Sequence, residues 1–183
     1  DEIKCRQAMD KPLPEGVTDD MAEQINKLTE WMFFNGHYIL KDTVDDVTSA
    51  NRRELARLAM GRFLSEILND IQQKVNDNNN QKVASLYTAH DTSIIPLMEA
   101  LGHGEVFEYG WPLLGSNMII ELCQDTNEHQ DKDKYWIRIL FNNKQIDLLP
   151  YEKWLMNVAQ LIPTNFDQEC IAHSKHPIPD YNW

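Results

Sequence analysis

The sequence predicts an α/β protein whose first part is helical and whose remainder is rich in strands. Two long stretches before the Asn-rich run at 76–80 repeat apolar residues at helical spacing. A nearly uncharged run, Val83 to Ala89, then ends abruptly at His90 and Asp91 and leads into a further helical pattern. Short runs of β-branched and aromatic residues follow. Together these features indicate a sheet with helices packed on it.

Residues 1–80 are predicted to form a mainly helical portion. After a short basic segment and a loop, Thr18 is an N-cap candidate for an amphipathic helix that ends near Asn35-Gly36. A second, longer helix begins near Ser49 or Asn51 and ends in the Asn-rich run. The apolar residues of the first helix recur on one face, which comprises Met21, Ile25, Leu28 and Met32.

Three arginines on the second predicted helix admit two interpretations. Arg52, Arg53 and Arg57 could bind an anion together, or they could form a solvated helix face. Their helical spacing favours the solvated face.

Residues 81–183 are predicted to form an α/β portion that carries the His-Asp pair. Because Val83 to Ala89 is nearly uncharged and rich in small, β-branched and aromatic residues, it is predicted to be a strand buried on both faces. A helix from Thr92 to Ala100 follows and stops at Gly102. An irregular connection, residues 103–116, leads to the remaining elements. Three strands are predicted at Met118 to Cys123, Tyr135 to Phe141 and Gln145 to Leu148, and the last two form a hairpin. A helix after Pro150 and an irregular tail from Pro163 complete the chain.

The charge balance excludes some classes of partner. The formal net charge is −12, which opposes nonspecific binding to nucleic acid or anionic lipid because no basic patch is present. No apolar run approaches the length of a membrane span. We therefore expect neither nucleic acid nor a transmembrane segment among the interactions of this chain.

His90 and Asp91 are the candidate chemical residues, because ligands collect at the carboxyl ends of buried strands in open α/β sheets. The pair could supply metal ligands, belong to a nucleophilic triad or be structural. A metal site needs further ligands, and the other histidines show no metal-ligand spacing. Ser93 and Ser116 lie in no nucleophile elbow. No metal or cofactor is predicted.

The residues around the pair carry a family resemblance. The block Tyr87 to Ser93, followed by Leu97 and Ala100 to Gly102, resembles the C-terminal signature of the histidine acid phosphatases. That branch includes the prostatic, lysosomal and lysophosphatidic acid phosphatases. The resemblance extends over most of the chain, through Glu66 to Asn69, Glu121-Leu122 and Gln168 to Cys170.

The resemblance implies a three-layer α/β sandwich with a helical cap, of which this chain supplies part of the sheet and part of the cap. It also implies phosphomonoester hydrolysis through a phosphohistidine. In such enzymes a histidine of an N-terminal Arg-His-Gly motif attacks phosphorus. Carried onto this sequence, His90 binds the phosphoryl group and Asp91 donates a proton to the leaving group.

This chain contains no Arg-His-Gly, and the nearest fragment is Gly102-His103-Gly104. We therefore predict that the chain alone is inactive and is completed by an N-terminal segment, or by an N-terminal chain of the same precursor cut by proteolytic processing. The completed enzyme could also form a homodimer, which the sequence leaves open. The different-class alternative is a catalytically silent member of the family that acts as a binding or structural component of an assembly.

The three cysteines, Cys5, Cys123 and Cys170, have no metal-ligand spacing. The resemblance implies that Cys5 and Cys170 stand where family members have disulfide cysteines. The usual partner of Cys170 would lie in the N-terminal part, whereas the usual partner position of Cys5 is Asn117, with Cys123 as a substitute candidate. The family further implies a secreted protein or one of a lysosomal or vesicular lumen.

Overall fold

The computed structural model describes residues 2–33, 46–77, 80–107, 111–125 and 134–173, except the side chains of 31–33, 46–52 and 172–173. The predicted helix end at Asn35-Gly36, the turn within 126–133 and His37, His129 and His176 lie outside the described residues. The elements in chain order are α1 Glu2–Ala8, α2 Asp19–Phe33, α3 Asp46–Asn76, α4 Asp91–Ala100, a 3-10 helix Gly104–Phe107, β1 Met118–Gln124, β2 Tyr135–Phe141, β3 Lys144–Pro150, α5 Tyr151–Ala159 and α6 Phe166–His173.

The three predicted C-terminal strands are confirmed and form an antiparallel sheet in the order β1-β2-β3. The β2-β3 hairpin closes through Asn142 and Asn143, whose φ angles are 48° and 63°. Two successive positive φ angles are the requirement of a type I′ turn, and asparagine tolerates them better than most residues. Helices with an antiparallel sheet agree with the predicted α/β class.

The helices α2 to α5 were also predicted, and their ends have the expected chemistry. The Thr18 hydroxyl accepts a hydrogen bond from the Met21 N–H at 3.2 Å, which caps α2. At the C-terminal end of α4, the N–H groups of Gly102 and His103 donate to the carbonyls of Glu99 and Met98. Gly102 has a φ of 82°, as the left-handed position after such a helix end requires.

The core lies where α3, α4 and α5 meet one face of the sheet. Leu64 of α3, Ile137 and Ile139 of β2 and Val158 of α5 are almost fully buried in one cluster. A second cluster joins Ile95 and Met98 of α4 to Phe107 of the 3-10 helix, with the rings of Phe107 and Phe141 5.2 Å apart. Since α4 contributes to both clusters, its N-terminal residues are held by a packed helix. The predicted boundary near residue 80 stays a prediction.

The apolar stripe of α2 is exposed in the described structure. Met21, Ile25 and Leu28 are 46%, 43% and 57% exposed, and Ala22 is the buried residue of this stretch. The helix prediction is therefore confirmed, but its apolar face does not pack against the described core.

Three short elements differ from the predictions. The basic segment before Thr18 contains helix α1, which the Glu2–Arg6 ion pair spans at 2.9 Å. The irregular connection contains the 3-10 helix, and the tail contains α6. In α6 the Asn165 side chain accepts from the Gln168 N–H at 3.1 Å, and Asn165 donates its own N–H to Glu169 at 3.0 Å. This reciprocal pair resembles a capping box shifted by one residue.

The predicted strand Val83 to Ala89 is wrong for this structure, because residues 81–90 carry no helix or strand and are all exposed. The physical reason is that a strand exists only through hydrogen bonds to a neighbour. Among the described residues, no backbone–backbone hydrogen bond involves residues 81–89.

Arg57 is not part of a solvated face. Its side chain is only 16% exposed, and its guanidinium forms ion pairs with Glu54 on its own helix and with Glu169 of α6. The Arg62 guanidinium lies 4.9 Å from the ring centre of Phe166, also on α6. These contacts fasten α6 to α3. The Asn165 N–H, followed by the Arg57 guanidinium, lowers the pKa of Glu169 from 4.5 to about 2.

In Glu169→Gln the free energy of unfolding should therefore depend less on pH in the acid range. A carboxyl group with a lower pKa in the folded state adds stability above its unfolded pKa and loses that contribution as pH falls through the folded value. For Glu169 the loss falls between about pH 4.5 and about pH 2. Urea unfolding of the complete protein across this range should show a shallower slope for Glu169→Gln. Glu152→Gln, at an exposed position of α5, is the control. Identical slopes for both variants and the wild type would contradict this role.

Candidate active site

His90 and Asp91 lie together at the start of α4. His90 is the N-cap residue, with φ −106° and ψ 166°, and its carbonyl accepts from the N–H groups of Ser93 and Ile94 at 3.0 and 3.1 Å. Asp91 is the first residue of the helix. A carboxylate in a first helical turn faces the positive end of the helix dipole. The backbone therefore turns at His90 and fixes both residues at one end of a well-packed helix.

The carboxyl group of Asp91 is held at both oxygens. The Thr92 N–H donates to Oδ1 at 2.7 Å, and the indole Nε1–H of Trp111 donates to Oδ2. Asp91 is partly buried, whereas its neighbour His90 is exposed. The pair thus combines an oriented, half-buried carboxyl group with an accessible imidazole.

The segment that leads to the pair, residues 81–90, is fastened to α3 through one carboxylate. Asp70 accepts on Oδ2 from Lys82 Nζ at 2.7 Å, from the Ser85 hydroxyl at 2.6 Å and from the Tyr87 hydroxyl at 3.3 Å. The hydrogen bond from Lys82, followed by that from Ser85, lowers the pKa of Asp70.

Apolar residues of the same segment differ in whether they contact α3. The ring of Tyr87 meets Phe63 of α3 edge-on, with the centres 4.9 Å apart. In contrast, Val83 and Leu86 are 95% and 92% exposed. The segment therefore has one side attached to the helix and apolar side chains that nothing in the described structure covers.

His103, the histidine of the Gly-His-Gly fragment, lies beyond the opposite end of α4. A helix of ten residues is about 15 Å long, which separates His103 from Asp91. The imidazole of His103 is 3.3 Å from the Asp147 carboxylate of β3 and 3.9 Å from Glu105. These contacts indicate a structural role that ties the end of α4 to the sheet.

Of the other sequence candidates, Ser93 lies next to the pair on α4, where its N–H donates to the His90 carbonyl. The Ser116 hydroxyl accepts from the Asn142 side chain at 3.3 Å and so braces the β2-β3 turn. Cys5, Cys123 and Cys170 are unbridged, so the candidate bond between Cys5 and Cys123 is not formed. Within the described ranges, no group of three or more His, Cys, Asp or Glu side chains could hold a metal ion. Those same residues also include no helix with the length and apolarity that a membrane span requires.

Comparison with protein families identifies the fold. The model of the histidine phosphatase superfamily, branch 2, matches residues 18–142, which include α2, α3, α4 and the pair. The chain belongs to this superfamily. Membership confirms the family resemblance of the Tyr87 to Ser93 block and the α/β class.

Curated proteins similar to this histidine phosphatase chain include acid phosphatases. Prostatic acid phosphatase of Bos taurus is 24% identical over 176 residues, or 93% of this chain and 42% of the relative. Lysophosphatidic acid phosphatase type 6 of Mus musculus is 25% identical over 136 residues, or 68% of this chain and 31% of the relative. Counting factor 60 of Dictyostelium discoideum is 27% identical over 171 residues, or 90% of this chain and 36% of the relative. The chain thus spans less than half the length of each of these relatives.

Trp111 is the contact residue that the sequence did not reveal. It lies in the irregular connection, 20 residues after Asp91. A tryptophan beside a proline in an aperiodic stretch carries no signal for a hydrogen bond to a distant carboxyl group. The contact depends on the position of Trp111 relative to the start of α4, which is fixed by the tertiary fold.

Proposed function

We propose that this chain is the acid-bearing part of a phosphomonoesterase of the histidine acid phosphatase type. The nucleophilic histidine would come from an N-terminal segment, or an N-terminal chain of the same precursor. Family membership and the acid phosphatases among the relatives support the reaction class. The observation that carries the proposal is the carboxyl group of Asp91, oriented beside His90 at the start of a packed helix.

In the proposed reaction the external histidine forms a nitrogen–phosphorus bond as the bond from phosphorus to the ester oxygen breaks. The electron pair of that bond passes to the departing oxygen. Asp91 supplies the proton that this oxygen needs to leave as an alcohol. A water molecule then attacks phosphorus and gives a proton to the Asp91 carboxylate, while the nitrogen–phosphorus bond breaks and its electron pair returns to the imidazole, so that inorganic phosphate and the original histidine side chain result. His90, exposed at the helix N-cap, would bind the phosphoryl oxygens.

The same proposal accounts for the uncovered side of residues 81–90. A run of apolar residues with unpaired backbone groups is a ready template for strand pairing. We assign the N-terminal segment to this position, so that its strands would pair with residues 83–89 and bring the nucleophile to His90 and Asp91. The chain alone would be inactive, and the completed enzyme would act on a phosphomonoester in a secreted or lysosomal setting.

The alternative of a catalytically silent member is favoured by one observation. Counting factor 60, which aligns with 90% of this chain, has a name that does not denote a phosphatase. In that case the chain would serve as a binding or structural component of an assembly.

Phosphate release by the complete protein tests the proposal. We expect hydrolysis of phosphomonoesters at acidic pH and a phosphorylated intermediate that is labile to acid, as a phosphoramidate bond is. Rapid quenching with denaturant at alkaline pH, followed by mass analysis of peptides, would locate the phosphate on a histidine outside this chain. Absence of both turnover and intermediate would decide for the silent alternative.

Cys170 provides a second test, of the link to the N-terminal part. The thiol is partly buried on α6 and unbridged within this chain. We expect native material analysed by mass without reduction to show Cys170 bonded to a cysteine of the N-terminal part. Cys170→Ser should abolish that bond, whereas Cys123→Ser should leave it intact. A free Cys170 thiol in native material would contradict the link.

A further inference from the structure

Trp111 connects the proposed acid to the N-terminal helices. Its indole N–H donates to Asp91 Oδ2, while Lys4 Nζ of α1 lies 5.5 Å from the centre of its ring. Lys4 also pairs with Glu30 of α2 at 2.7 Å, and both of these side chains are about one third exposed. The indole is thus held by a carboxyl group at its edge and by a cation over its face.

The chemistry of indole limits what this contact can do. The indole nitrogen is a donor only and cannot accept a proton, so Trp111 cannot relay the proton of Asp91. It can, however, restrict rotation of the carboxyl group. With the Thr92 N–H on the other oxygen, both oxygens have fixed directions, and each keeps an unshared pair for a proton.

We propose that Trp111 is a positioning residue that aims the Asp91 carboxyl group at the leaving-group oxygen, and that Lys4 holds the indole in place. This inference rests on the proposed phosphatase function and names a residue that supports its acid. Proton transfer depends strongly on geometry, because donor and acceptor must lie within hydrogen-bond reach. A freely rotating carboxyl group would spend only part of its time in that position.

Substitution in the complete protein tests the role. Trp111→Phe keeps an aromatic ring for Lys4 but removes the N–H. We expect kcat on an alkyl phosphate to fall roughly tenfold, the size of effect expected for the loss of one hydrogen bond that orients the acid, with KM little changed. On 4-nitrophenyl phosphate, whose leaving group needs no proton, the loss should be less than about twofold. Lys4→Met should show a smaller loss with the same dependence on the leaving group.

Trp154 offers a matched control. Its indole N–H is buried on α5 and has no hydrogen-bond partner among the described residues. Trp154→Phe therefore removes an indole N–H without removing a contact to the acid, and its effect should not depend on the leaving group. Equal losses on both substrates for Trp111→Phe would overturn the positioning role.

A spectroscopic measurement separates this inference from the phosphatase proposal. The indole N–H resonance of Trp111, identified by its absence in Trp111→Phe, should show a hydrogen-bonded downfield shift in the complete protein, and Asp91→Ala and Asp91→Asn should both move it, because each replaces the carboxyl group that accepts from this N–H. If the wild type releases no phosphate, the phosphatase proposal and the catalytic use of the contact fail together, while this shift still establishes the contact. If the wild type is active and the chemical shift of this resonance is unaffected by the Asp91 substitutions, the inference alone is overturned.

Discussion

Asp91→Ala in the complete protein is expected to slow hydrolysis of an alkyl phosphate by about a hundredfold to ten-thousandfold, the range of general acid catalysis. An alkoxide is a poor leaving group, so its departure requires a proton. The same variant should lose much less activity on 4-nitrophenyl phosphate, because nitrophenolate leaves without one. Steady-state rates of the variant and the wild type on the two substrates give the ratio of the two losses directly. The structure supports this role through the two N–H donors that orient the carboxyl group.

Asp167→Asn is the matched control for this prediction. Asp167 is an exposed carboxylate that, like Asp91, stands in the first turn of a helix, here α6. Its replacement removes the same kind of charge from a helix N-terminus and should affect both substrates equally and slightly. Equal losses on both substrates for Asp91→Ala would remove Asp91 from the acid role, whatever the size of those losses.

The sequence was sufficient for elements whose pattern reflects contacts within this chain. In β2 the buried residues Ile137 and Ile139 alternate with less buried ones, and a two-residue asparagine turn joins β2 to β3, so both the period and the turn chemistry indicate a hairpin. The start of α4 was also predictable, because the polar corner at His90 interrupts an apolar run. These features predict that His90 and Asp91 lie at the N-terminal end of a helix, where the structure has them.

Elements that depend on distant partners were not predictable. Helix α6 is short, and its place in the fold depends on Glu169 meeting Arg57 more than a hundred residues away in the chain. The contact of Trp111 with Asp91 likewise joins an aperiodic connection to a helix end. Neither of these two contacts produces a periodic pattern in the local sequence.

The strand predicted for Val83 to Ala89 is wrong for a different reason: the local sequence has a strand pattern, but the described structure has no partner strand for it. Its composition correctly describes a residue run suited to a strand, yet the described structure gives that run no strand neighbour. Exposed apolar residues in a contiguous run indicate an interaction surface more often than an ordinary solvated loop. The mismatch between pattern and structure therefore supports the proposal that strands of an N-terminal segment pair with residues 83–89.

Leu86→Lys should for this reason damage the complete protein severely while leaving this chain's own fold intact. Leu86 is 92% exposed here, so a lysine meets no obstacle in the described structure. If strands of the N-terminal segment cover it, the lysine becomes a buried, unpaired charge, and we expect the free energy of unfolding to fall by about 3–5 kcal/mol with loss of phosphatase activity. Met156→Lys on α5, at a residue 60% exposed, is the control and should be nearly neutral in urea unfolding. Equal stability of the two variants would mean that residues 83–89 stay uncovered, and the nucleophile would then have to reach Asp91 without strand pairing at this segment.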